Sequence, residues 1–120
     1  MLFRSYEDVH IQGVITTNSL FVVTPDGVLV VDGQGTVPQT QRLVESIRKI
    51  TDKPIKYVVM GSVHGDHTGG NSAFPDGVTF IAHPVARDAL QAQASRPPRQ
   101  GGPANPPRVV VPTEIGRAHV

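Results

Sequence analysis

The short apolar run Ile55 to Met60 leads directly into Gly61-Ser62-Val63-His64-Gly65-Asp66-His67-Thr68-Gly69-Gly70-Asn71. No other stretch constrains the fold as strongly. His64, Asp66 and His67 fall within four residues, and none of these side chains is comfortable in a core without a partner. Their clustering therefore points to chemistry rather than to packing. Imidazole nitrogen and carboxylate oxygen are the donors that zinc accepts at about 2.0–2.2 Å, and a loop leaving the end of a strand can aim such short side chains at one point. Glycines at 65, 69 and 70 allow the tight backbone path this requires. The chain must therefore build a sheet with a strand end open to this loop.

The surrounding sequence supplies that sheet. Val9 to Ile15 and Ser19 to Thr24 are rich in β-branched residues and read as strands joined by Thr16-Thr17-Asn18, a turn-forming composition. Pro25-Asp26-Gly27 forms the next turn, and Val28 to Val31 resumes as a buried strand. From Pro38 to Ile50, the helical spacing of Leu43, Ile47 and Ile50 beside Gln41, Arg42, Glu45 and Arg48 predicts an amphipathic helix with proline near its first turn. Phe74-Pro75-Asp76-Gly77 turns the chain into a strand over Val78 to Ala82, and Pro84 to Ala94 has helical composition. Ser95 to Arg108 shows no period and is dominated by proline and glycine, so a loop or lid is expected there. Val109 to Val111 is expected to begin another strand. This alternation predicts an α/β (α+β) architecture, a sheet covered by helices.

Composition narrows the partners. Eleven basic and ten acidic residues give a formal charge of +1, which provides no field for nucleic acid or an anionic membrane. No apolar run reaches the roughly 20 residues of a membrane span. The absence of cysteine excludes disulfides, a thiol nucleophile and a Cys-ligated zinc ribbon, so any metal must be held by histidine and carboxylate. A small-molecule substrate is the expected partner.

The segment Val63-His64-Gly65-Asp66-His67-Thr68-Gly69-Gly70-Asn71 resembles the His-x-His-x-Asp-His signature of the metallo-β-lactamase superfamily. The order and spacing of the elements from Val9 to Thr113, including a strand that ends in Asp32, are similar to the first half of that family's αββα sandwich. The resemblance implies metal-assisted hydrolysis with one or two zinc ions, Zn2+. His64 would belong to the first metal position, and Asp66 and His67 to the second. Asp66 would also act catalytically by orienting the attacking water, and Asp32 would brace the site from behind. Ser62 stands where the signature has its first histidine, so the first position lacks a ligand and a mononuclear site at Asp66 and His67 is expected. Relatives with this motif act on β-lactams, thioesters, lactones, phosphodiesters and sulfate esters, and the motif does not choose among them. Two alternatives stand beside hydrolysis. One is an iron-dependent oxidoreductase or redox-accessory protein on the same fold. The other is a non-catalytic metal-binding member.

Several residues outside the motif invite attention. His83 follows a strand and precedes Pro84, and like His10 it reads as a hydrogen-bonded structural residue. Arg96, Arg99 and Arg108 lie in the proline-rich stretch and read as solvated. Residues 1–5 and 114–120 back-translate to the two senses of a common sequencing adapter and are expected to be non-native. His119 is therefore not counted as a ligand. The remaining segment, 6–113, is expected to be a truncated metallo-β-lactamase-like domain whose further ligands lie downstream, with localisation unreadable.

Overall fold

The computed structural model describes residues 2–6, 9–14 and 17–116, with side chains from residue 17 onward. Among these residues seven strands form one sheet in sequence order: β1 (Leu2–Tyr6), β2 (Val9–Val14), β3 (Thr17–Thr24), β4 (Gly27–Val31), β5 (Ile55–Met60), β6 (Thr79–Ala82) and β7 (Glu114–Ile115). The first four pair antiparallel, and β4 through β7 pair parallel. Parallel pairing needs crossovers: α1 (Val37–Ile50) joins β4 to β5, the segment with the short α2 (Gly65–Thr68) joins β5 to β6, and α3 (Pro84–Ala94) lies between β6 and β7. No helix among the described residues is long and apolar enough to cross a membrane.

Local chemistry sets the boundaries. Gly27 has φ +143°, and a Cβ there would lie 2.8 Å from the Pro54 carbonyl oxygen, so the turn after Pro25 depends on glycine. Thr36 caps α1 by accepting from the Gln39 amide at 3.3 Å, proline stands in the first turn, and Arg48 and Lys49 lie near the negative end of the helix dipole. α1 buries Thr40, Leu43, Val44 and Ile47, whereas Ile50, expected on that stripe, is exposed in the last residue of the helix. His83 caps α3 by accepting from the Val85 amide at 3.2 Å, which gives it the structural role expected of it.

Strand register explains the core. Phe21 lies opposite Val30, Val30 opposite Val58, and Val58 opposite Phe80, so these side chains share one sheet face. Leu43 and Ile47 from α1 and Leu90 from α3 join Phe21, Val30 and Val58 in the core. The opposite face carries two further apolar rows. Leu20, Val31, Val59 and Ile81 form one, and Val22, Leu29 and Tyr57 form the other. None of these seven belongs to the core, and Tyr57 is exposed. The architecture is α/β with helices on one face and a second apolar face, as the first half of an αββα sandwich requires.

Two expectations need correction. Thr17 and Asn18 are not turn residues, since they pair with Val14 and Gly13 inside the β2–β3 ladder. Val109 to Val111 forms no strand. The chain runs past β6 and pairs only at Glu114–Ile115, within the segment expected to be non-native. β1 likewise overlaps the other such segment. Both pairings use backbone groups, which any sequence supplies.

Candidate functional site

The register brings three strand ends to one edge of the sheet. β4 and β5 finish there side by side, and the Asp32 amide extends their ladder by donating to the Val59 carbonyl at 2.9 Å. β3 starts at the same edge, because Leu20 already pairs with Val31 and residues 17–19 lie beyond it. The loops that leave this edge, 32–36 and 61–71, carry the chemistry.

Asp32 has φ +62°, a left-handed conformation that aspartate adopts more readily than most residues. In that conformation its carboxylate reaches across to the neighbouring strand end. Oδ1 accepts from the Gly61 amide at 2.7 Å, and Oδ2 lies 3.1 Å from His67 Nδ1. A carboxylate only accepts, so Nδ1 is the donor, and in the neutral imidazole Nε2 is then the nitrogen with the lone pair. Nε2 faces Asp66 Oδ2 at 3.6 Å. Side-chain exposure rises along this chain from 14% at Asp32 to 29% at His67 and 48% at Asp66. The brace is half-buried and the donor end is open.

The motif loop is more ordered than a plain loop. Gly65–Thr68 forms one turn of helix, α2, and Asn71–Ala73 a turn of 3₁₀ helix, both too short for hydrophobic periodicity to reveal. Ser62 does not substitute for an imidazole; its hydroxyl accepts from the His64 amide at 3.1 Å and shapes the entry to α2. His64 is exposed at the N-cap of α2, and its carbonyl accepts from the His67 amide and the Thr68 hydroxyl, each at 3.0 Å. Among the described residues no three His, Asp or Glu side chains converge as a metal site would require. The structure thus joins Asp66, His67 and Asp32, and leaves His64 outside that group.

The two loops lie backbone against backbone. The Gly70 amide donates to the Gln34 carbonyl at 2.9 Å, and a Cβ on Gly70 would collide with the Thr36 carbonyl and the Thr40 hydroxyl. Beneath them, Gln34 Nε2 donates to Ser19 Oγ at 2.6 Å, with both residues fully buried. Thr17, also buried, donates from Oγ1 to Asp66 Oδ2 at 3.4 Å. The sequence reading missed Thr17 and Ser19. The available signal was polar residues at 17 and 19 in phase with Phe21, on the face that becomes buried.

The remaining candidates lie elsewhere. Arg96, Arg99 and Arg108 are exposed and line a cavity of about 720 Å³ within the proline-rich segment. The side chain of His10 and all of His119 lie outside the described residues.

Comparison with known proteins adds context to this geometry. Residues 13–117 match the family model described as the metallo-beta-lactamase superfamily. A linear primary-alkylsulfatase from a Pseudomonas species is 40% identical over 53 residues, which is 44% of this chain and 10% of that protein. A metallo-β-lactamase from Cronobacter sakazakii with a mutated HARLDQ motif superposes with a TM-score of 0.69 at 23% identity, over 96% of this chain and 46% of its own. The metallo-β-lactamase FIM-1 from Pseudomonas aeruginosa, in its mono-zinc form, gives 0.64 at 22% identity, over 82% of this chain and 48% of its own. The chain spans about half the length of these two structures and a tenth of the alkylsulfatase.

Proposed function

Because the chain belongs to the metallo-β-lactamase superfamily, we propose that the protein carrying it is a metal-dependent hydrolase and that Asp66 and His67 supply part of the metal site. The observation that carries this reading is the contact series Asp32–His67–Asp66, which places His67 Nε2 and Asp66 Oδ2 3.6 Å apart. A neutral imidazole and a carboxylate so placed can share a cation, since 3.6 Å is less than twice the ~2.0–2.2 Å of a zinc bond to nitrogen or oxygen. The donor set therefore fits zinc as half of a four-coordinate site. When bound, the ion would supply Lewis acidity and a more acidic water.

This chain's own residues contribute orientation. Asp32 fixes the His67 tautomer through Nδ1, as carboxylates behind ligating histidines do. Asp66 presents a half-exposed carboxylate at the rim, where it would align the attacking water and accept its proton. The site opens at a sheet edge, which suits a small-molecule substrate. The similarity to an alkylsulfatase makes a primary alkyl sulfate the first ester to try, followed by thioesters, lactones, phosphodiesters and β-lactams.

The test is elemental analysis of the full-length protein together with turnover of that panel by wild type and Asp66→Ala. One zinc per chain, hydrolysis of one class and loss of both on substitution are expected, since Asp66→Ala removes a ligand and the water-orienting group. Unchanged turnover in Asp66→Ala would refute the mechanism. Iron in place of zinc, with oxidation or reduction of substrate, would favour the oxidoreductase reading, and no metal at all a non-catalytic role.

A further inference from the structure

We infer that Thr17 is a positioning residue that sets the orientation of Asp66 through its hydroxyl. This inference rests on the hydrolase reading for its consequence, but its geometry is independent of it. Thr17 is 4% exposed at the first position of β3, forty-nine residues before Asp66, and its Oγ1 lies 3.4 Å from Asp66 Oδ2. That oxygen also faces His67 Nε2 at 3.6 Å. A carboxylate oxygen has two lone-pair directions. With one taken by the Thr17 hydroxyl, the other is turned toward the point shared with His67. At 3.4 Å the bond is long, so its effect is directional more than cohesive.

The rest of β3 supports the assignment. A buried hydroxyl in a strand core costs stability unless it is partnered, and Val would serve packing better at this position. Ser19, two residues on and on the same face, is also fully buried and partnered, to Gln34 Nε2 at 2.6 Å and the Gly33 carbonyl at 3.3 Å. From Phe21 onward the same face is apolar. The polar residues thus occur only where β3 passes under the two site loops. Ser19 holds the 32–36 loop and Thr17 holds Asp66. Among the described residues the exposed Asp66 carboxylate meets only His67 and the Thr17 hydroxyl, so a rigid strand hydroxyl is what restricts its rotamer.

The experiment compares wild type, Thr17→Val and Thr17→Ser in the full-length protein. Valine keeps the shape and suits a strand, and serine keeps the hydroxyl. Crystal structures without metal should show the Asp66 carboxylate turned away from His67 in Thr17→Val and in place in Thr17→Ser. Zinc affinity, from competition with a chromophoric chelator, should fall about tenfold in Thr17→Val and recover in Thr17→Ser, the usual scale for residues behind a ligand. Turnover should lose kcat with KM nearly unchanged. Asp66 remaining beside His67 in Thr17→Val, or failure of serine to restore affinity, would overturn the inference. A wild type that holds no zinc and hydrolyses nothing would sink the hydrolase reading, while the metal-free structures would still decide the role of Thr17.

Discussion

Replacing Asp32 by asparagine isolates the electrostatic half of the brace from its backbone half. Asparagine tolerates the φ of +62° nearly as well as aspartate and can still accept from the Gly61 amide, so the turn should survive with under about 1 kcal/mol lost. Its other terminal atom is then an amide NH₂ facing His67 Nδ1, where Asp32 Oδ2 now lies at 3.1 Å. Two donors cannot share that contact. His67 must accept at Nδ1 and carry its proton on Nε2, which removes the lone pair from the atom that faces Asp66. Partners behind a ligating histidine are worth about 10–100-fold in metal affinity, or about 1.4–2.7 kcal/mol. Asp32→Ala should bind metal equally poorly and also lose about 1–2 kcal/mol of stability from the left-handed backbone, the exposed Gly61 amide turning to water instead. Chelator competition gives the affinities and urea unfolding of the metal-free protein gives the stabilities. Wild-type zinc affinity in Asp32→Asn would refute the tautomer argument, and equal destabilisation by asparagine and alanine would refute the backbone one.

Three further outcomes follow from packing. Gly70→Ala should cost about 2–3 kcal/mol, since its Cβ meets backbone that cannot yield, whereas Gly65→Ala, with open space around it, should stay within about 0.5 kcal/mol; thermal melts of the pair check this. Phe21→Ala should cost about 3–5 kcal/mol by urea unfolding, because the ring is fully buried in the core row. The 120-residue chain expressed by itself should bind a hydrophobic dye and self-associate, and a monomer with a sharp melt and no dye binding would contradict the reading of its second face as one that needs cover.

Elements with a strong local signal were legible to within a residue or two. Ile55–Met60 and Pro84–Ala94 follow from apolar runs bounded by proline and glycine, and the Pro25–Gly27 turn follows from backbone preference alone. The failures share a cause, which is tertiary context overriding local composition. Thr17 and Asn18 have turn-like side chains yet form a strand, because both pair with β2 and the Thr17 hydroxyl serves a loop 49 residues away. Val109–Val111 has strand composition, but β6 is reached instead by β7 and by the flanking amides of Thr113, to the Phe80 carbonyl, and Gly116, to the Ala82 carbonyl. At the site, the nearness of Asp66 and His67 to each other was legible because they cluster in sequence, and Asp32 entered only through the family resemblance. Which nitrogen of His67 stays open was not legible, since that depends on a contact 35 residues distant.

The division of labour along β3 explains how chemistry and stability coexist in so small a sheet. Its inward face changes character between Ser19 and Phe21. Before that point it is polar and tied to the loops, and after it the row Phe21, Val30, Val58 and Phe80 spans four strands under α1 and α3. Cohesion depends on apolar area removed from water, which is concentrated in that row and below it. Orientation of Asp66 and His67 depends on hydrogen bonds at the strand ends, each modest in net free energy. Side chains at the edge are therefore replaceable with little loss of cohesion, whereas a change in the row moves the strand ends themselves and hence the donor atoms they carry. The glycine contacts between the two loops are the exception, because Gly70 lies close to both Thr36 and the buried Thr40. At that point packing and site geometry are one constraint, and a side chain added there would displace the loop that holds Asp66 as well as weaken the fold.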